Sequence, residues 1–142
     1  MKTVMVSGDF GRIHEGHIDH IIKAYALGDW LVIATHTDKS IVARKSYIPM
    51  PLWARIVLLR GILAVLGNKG EVVITKDTDG ESTKTLKWIA PNIFAKGGDR
   101  VPGNIPQEEV DVCQEIGCEI VYGVGGRLNS STKLAKELRE KV

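Results

Sequence analysis

Two histidines set three residues apart, His14 and His17, end the segment Gly8-Asp9-Phe10-Gly11-Arg12-Ile13-His14-Glu15-Gly16-His17. At a helix start that spacing turns both imidazoles the same way. Gly16 between them has no side chain to keep a ligand from the backbone. The unpaired N–H groups of a helix N-terminus, together with its dipole, attract phosphate, so a bound triphosphate is the natural occupant. Taken singly, each histidine reads equally well as a solvated loop residue. A zinc site fits less well, because the spacing is not His-Glu-x-x-His and a third ligand, His20, would have to come from the same helix. No metal ligand is therefore assigned.

The elements around this segment put it where ligands bind. Thr3 to Val6 is a short apolar run ending in Ser7-Gly8, which reads as a buried strand opening into a turn. From His17 onward Ile18, Ile21, Ile22 and Tyr25 recur at helical spacing, and Gly28 follows as the stop. Trp30 to Ala34 reads as a second strand with a polar exit, Thr35-His36-Thr37-Asp38, and Lys39 to Ser46 as a polar stretch. Pro51 fits the first turn of a long helix whose stripe runs Leu52, Ile56, Leu59, Ile62, Leu63 and Leu66, closed by Gly67. Val72 to Thr75, Asn92 to Ala95 and Glu119 to Tyr122 read as strands. Between them fall helices at Thr83 to Ala90 and Gln107 to Ile116, with a surface loop from Arg100 to Pro106. Gly123, Gly125 and Gly126 break the last strand, and Ser130 or Ser131 caps a final helix through Leu134 and Leu138.

Alternating strands and helices predict a Rossmann-like, doubly wound α/β domain: a five-stranded, mainly parallel sheet with helices on both faces. Such sheets bind ligands beyond the carboxyl ends of their strands. A length of 142 residues predicts one domain over 1–142, and 44% hydrophobic with 25% charged residues is the balance of a globular chain. A net charge of +2 is too small for the broad basic face of a nucleic-acid binder. Cys113 and Cys118 match neither a zinc knuckle nor a Cys-x-x-Cys pair and read as reduced and packed. Met1 to Gly8 is too short for a signal-peptide core or a membrane span, which predicts a cytoplasmic protein without a membrane partner.

The His14-Glu15-Gly16-His17 segment resembles the His-x-Gly-His motif of the cytidylyltransferase-like nucleotidyltransferases, and the resemblance extends over nearly the whole chain. Three more landmarks follow in family order: the Lys45 and Arg55 region, Lys96-Gly97-Gly98-Asp99, and Ser130-Ser131-Thr132. The Lys-Gly-Gly-Asp turn and Pro51-Leu52-x-x-Arg55 look most like the adenylyltransferase half of the heptose-phosphate enzyme of lipopolysaccharide core biosynthesis. The likeness to glycerol-3-phosphate cytidylyltransferase is looser, since Arg127-Leu128-Asn129 stands where an Arg-Thr-x-Gly lead-in is expected.

The resemblance implies attack of an acceptor phosphate oxygen on the α-phosphorus of a nucleoside triphosphate, ATP by preference, with release of pyrophosphate. It assigns His14 and His17 to the α-phosphate and its transition state, Lys45 to the triphosphate chain, and Arg55 to a phosphate contact. Gly8, Asp9, Phe10 and Gly16 would line the nucleotide. Lys96, Gly97, Gly98 and Asp99 would meet ribose or base, and Ser130, Ser131 and Thr132 the β- and γ-phosphates. Mg²⁺ arriving with the triphosphate is the implied cofactor, a phosphorylated sugar the implied acceptor, and a homodimer the implied assembly. The family usually has Asp directly after the Phe and Glu before the arginine; this chain has Asp9 ahead of Phe10, and Trp53 in the second region. Alternatives are glycerol-3-phosphate cytidylyltransferase, FMN adenylyltransferase, a non-catalytic nucleotide-binding module and, more distantly, a zinc-dependent hydrolase.

Overall fold

The computed structural model describes residues 1–47, 49–98 and 100–126. Along the chain run β1 (Thr3–Gly8), α1 (Glu15–Tyr25), β2 (Trp30–Thr35), α2 (Asp38–Arg44), α3 (Leu52–Leu66), β3 (Gly70–Ile74), α4 (Thr83–Ile89), β4 (Ile93–Ala95), α5 (Gln107–Ile116) and β5 (Glu119–Val121). The strands form one sheet in the order β3-β2-β1-β4-β5, and every pairing is parallel. The doubly wound sheet expected from the alternation of elements is present. The final helix expected after Ser130 lies outside the described residues.

The pleat of β1 divides the core in two. Val4 and Val6 pack on one face with Ile21 of α1 and Leu59 and Leu63 of α3. Met5 faces the other way, into Leu86 of α4, Phe94, and Val112 and Cys113 of α5. Both cysteines are buried and free, as expected. Because the central strand is covered on both sides, its side chains are apolar without alternation. The chain winds outward from β1 through β2 to β3, then crosses to β4 on the opposite side of β1. That reversal opens a crevice at the carboxyl ends of β1 and β4.

Three elements depart from the expected boundaries. Helix α1 begins at Glu15 rather than His17, because His14 itself caps it. The polar stretch from Lys39 contains α2, capped by the Thr37 hydroxyl, which accepts from the Ser40 amide at 3.2 Å. Only Ser40 and Ile41 of that short helix are buried, so it leaves no apolar period to read. Strand β3 starts at Gly70, where a β-carbon would collide with the carbonyl oxygen of Leu31 on the neighbouring strand.

Arg55, expected at a phosphate contact, does not line the cleft. It is fully buried, and its guanidinium donates to five acceptors of its own chain. Nε reaches the Met50 carbonyl at 2.9 Å, and Nη1 reaches the Asp9 carbonyl at 2.9 Å, the Thr35 hydroxyl at 2.6 Å and the His36 carbonyl at 2.7 Å. Nη2 meets the Asp38 carboxylate at 2.5 Å. The other Asp38 oxygen accepts from the Leu52 amide at 3.2 Å and caps α3, whose own N-cap, Pro51, offers no side-chain acceptor. Arg55 therefore positions the site instead of touching a ligand.

Replacing Arg55 by Met strands several buried acceptors, each costing about 1–3 kcal/mol when left unpaired. The expected loss is about 3 kcal/mol or more in urea unfolding. Lysine, a point charge without the planar fork, restores only part of it.

Candidate active site

The start of α1 is built from its two histidines. His14 is the N-cap, and its Nδ1 accepts from the Gly16 amide at 3.0 Å; His17 Nδ1 accepts from the His14 amide at 3.2 Å. This is a reciprocal capping box with imidazoles in place of the usual Ser and Glu. The two rings lie 4.0 Å apart between centroids, tilted by 34°. Each Nδ1 presents its lone pair to a backbone N–H, so each neutral ring carries its hydrogen on Nε2. Burial, and then the neighbouring His14 and His20, push the His17 pKa down to about 4. At neutral pH His17 is an uncharged hydrogen-bond donor.

The backbone around the pair is close-fitting. A β-carbon on Gly16 would stand 2.8 Å from His14 Cε1 and 3.1 Å from the Gly126 carbonyl oxygen. Phe10 adopts φ of +50°, an uncommon conformation for a bulky residue, and its buried ring meets His17 edge-on at 5.3 Å. The loop from β1 to α1 is thus locked from the core side.

A cleft of about 670 Å³ lies over this point, within the usual range for a small-molecule site. Gly8, Asp9, Phe10, His14, Gly16, His17, Lys45, Lys96, Gly97 and Gly98 all line it, from three separate stretches of sequence. Arg55 does not. Trp53 is 71% exposed and lies off the cleft, so its replacement of the usual acid leaves the described lining untouched. Asp99, Ser130, Ser131 and Thr132 fall outside the described residues.

Charge around the cleft is predominantly positive. Arg12, Arg44, Lys45, Lys96 and Arg100 line it, against the carboxylates of Asp9 and Glu109 among the described residues. Arg44 grips Asp9 at 2.7 Å and Lys45 lies 3.5 Å from the same carboxylate. Burial alone would raise the Asp9 carboxyl, but its bond to Arg44 and the charges of Arg44, His36 and Lys45 hold it below its ordinary value. Lys96 meets Glu109 at 2.9 Å and sits over the Phe94 ring. Glu109, itself buried, also accepts from the Ser82 amide at 3.0 Å.

Several of these residues escaped the reading of the sequence. Arg44 falls in what reads as a polar stretch and Glu109 on the expected helix from Gln107, and neither was singled out as a site residue. Arg44 also packs against Gly80, where a β-carbon would meet its Nη1 at 2.6 Å. The Gly123-to-Gly126 run, expected only to break the last strand, docks on α1 and closes one wall. The Gly98 amide donates to the Gly125 carbonyl at 2.8 Å, the Gly126 amide to Asp19 at 3.0 Å, and His20 Nδ1 to the Val124 carbonyl at 2.5 Å. A β-carbon on Gly97 would meet that His20 nitrogen at 2.5 Å, which explains the glycine there. Among the described residues no cluster of three His, Cys, Asp or Glu side chains is arranged to hold a metal ion, and no helix is long and apolar enough to cross a membrane.

No family model matches the chain. It is 32% identical over 149 residues to the bifunctional protein HldE of Hahella chejuensis, covering 98% of this chain and 28% of that protein. The HldE of Haemophilus ducreyi is 30% identical over 131 residues, covering 91% of this chain and 24% of its own length. The chain therefore spans about a quarter of the length of these curated relatives. A lipopolysaccharide core biosynthesis protein from Thermoplasma volcanium superimposes with a TM-score of 0.65 at 25% identity, covering 87% of this chain and 94% of that one. A bifunctional NMN adenylyltransferase/ADP ribose pyrophosphatase from Francisella tularensis shares the fold, with a TM-score of 0.62 at 14% identity over 99% of this chain and 43% of its own. The similarity to HldE thus runs along nearly the whole of this chain.

The depressed histidines make stability depend on pH. Between 6.5, the ordinary histidine value, and about 4, the unfolded chain binds a proton at position 17 that the folded chain refuses. Burial lowers His20 and His36 as well. Stability is complete above pH 6.5 and falls as the pH drops toward 4. Urea unfolding at stepped pH checks the slope, and His17→Gln is expected to flatten it.

Proposed function

We propose that the chain is a nucleotidyltransferase that moves a nucleoside monophosphate, AMP from ATP, onto a phosphorylated sugar such as heptose 1-phosphate. The observation that carries this reading is the pair of imidazoles capping α1, inside a positively charged cleft at the sheet's switch point. An oxygen of the acceptor phosphate attacks the α-phosphorus. The bond from that phosphorus to the bridging oxygen of the β-phosphate breaks, and pyrophosphate leaves with the electron pair. The nucleophile is already an anion, so no side chain need remove a proton.

What the reaction requires is charge stabilisation and alignment. A helix terminus contributes up to about 2 kcal/mol, whereas enzymatic accelerations correspond to about 8–23 kcal/mol. Each well-aimed donor adds about 3–4 kcal/mol, so the imidazole Nε2–H groups, the α1 amides and the cleft cations are needed together. His14 and His17 would donate to the non-bridging oxygens of the α-phosphate, and Lys45 to the phosphate chain. Gly97 and Gly98, with Asp99, would face the ribose or base, and Ser130, Ser131 and Thr132 the outer phosphates. Mg²⁺ would come bound to the nucleotide. The described residues form no cage for it, and this ion commonly keeps several waters and relies on substrate phosphates.

The test is a pyrophosphate-release screen of four nucleoside triphosphates against phosphorylated sugars and alcohols, with Mg²⁺ present. ATP with a sugar phosphate is the expected productive pair. His17→Ala is expected to lower turnover about a hundredfold or more with the fold retained. Saturable nucleotide binding without pyrophosphate from any acceptor would make the chain a binding module instead.

A further inference from the structure

The cations of the cleft are not equivalent. Arg44 and Lys45 share the Asp9 carboxylate, Lys96 is held by Glu109, and Arg100 donates to the Asn104 carbonyl at 3.2 Å. Arg12 differs. It is exposed, its guanidinium has no carboxylate partner among the described residues, and its carbon lies 4.1 Å above the centre of the Tyr47 ring. Stacking engages only the face of a guanidinium and leaves its edge, with the N–H fork, free for an anion.

Tyr47 lies close against the loop that carries Arg12. A β-carbon on Gly11 would come within 2.6 Å of the Tyr47 hydroxyl, and the Gly11 carbonyl accepts from the Met50 amide at 2.9 Å, tying this loop to the lead into α3. Arg12 thus sits on a prepared platform, two residues before His14. Tyr47 belongs to the segment that follows β2, whereas Gly97 and Gly98 follow β4, on the other side of β1. A nucleoside near the β4 turn, with its α-phosphate on the histidine cap and Lys45 on its phosphate chain, leaves the Arg12–Tyr47 corner of the cleft to a second ligand.

We infer that Arg12, stacked on Tyr47, is the docking fork for the phosphate of the acceptor, a specificity-determining group distinct from the nucleotide contacts. This rests on the nucleotidyltransferase reading. A phosphate dianion accepts two parallel N–H bonds from a guanidinium, which fixes its orientation as well as its position. Such a fork, two residues from the cap, would aim an acceptor oxygen at the α-phosphorus.

The experiment measures inorganic phosphate binding to the full chain saturated with α,β-methylene-ATP, alongside direct binding of that analogue. Arg12→Ala is expected to weaken phosphate binding about tenfold or more while the analogue's affinity changes by less than about threefold. Arg12→Lys should fall nearly as far, because an ammonium offers no planar fork. Tyr47→Ala should follow Arg12→Ala, whereas Tyr47→Phe keeps the stack and stays near the wild type. Phosphate binding unchanged in Arg12→Ala, no phosphate binding by the wild-type analogue complex, or equal loss of phosphate and analogue would each overturn the assignment. A wild-type chain that does not bind the analogue would instead overturn the transferase reading itself.

Discussion

The buried guanidinium of Arg55 is the constraint on which the candidate site depends. Its donors reach the loop after β1 through the Asp9 carbonyl, the exit of β2 through Thr35 and His36, the start of α2 through Asp38, and the lead into α3 through Met50. Loops at the carboxyl end of a parallel sheet have no ladder of their own to hold them. A fully desolvated fork that leaves none of these acceptors unpaired does that work, and among the described residues no buried side-chain nitrogen or oxygen lacks a partner. With Asp9 pinned through its carbonyl, its carboxylate is available to fix Arg44 and Lys45 at the cleft wall.

On the other side of β1, positioning falls to tight backbone approaches instead of a charge. The turn after β4 lies against the glycine run after β5, and that run lies against α1 through His20 and Asp19. Gly16 and Gly97 stand where any side chain would meet a histidine ring. The two halves meet at the cap of α1, where the imidazoles satisfy the helix amides with Nδ1 and keep Nε2–H for a ligand. Structure and chemistry there use the same pair of rings: protonating Nδ1 would remove a cap bond and introduce a charge into a partly buried site.

Most of the fold was legible from the chain because parallel strands covered on both faces leave unbroken apolar runs, as in Thr3 to Val6 and Trp30 to Ala34. Helix α3 showed its stripe and its closing glycine. Helix α2 stayed hidden because seven residues with two buried positions carry no period. The histidine pair, Lys45, Lys96 and the glycine turn were legible as a candidate site, and the structure brings them to the lining of one cleft. Arg55 was misjudged for a physical reason: a cation in sequence carries no mark of whether its partner is a ligand or the chain's own carbonyls.

The sequence by itself determined the alternation of elements, and with it the sheet and the end of the sheet where the histidine pair lies, because periodicity is a property of neighbouring residues. Only the tertiary structure decided which cations are already neutralised, that Arg55 faces inward, that Glu109 holds Lys96, and that Arg12 rests on Tyr47. Those outcomes depend on distances between residues far apart in the chain, and side-chain charge in a cleft takes its meaning from what lies within a few ångströms of it.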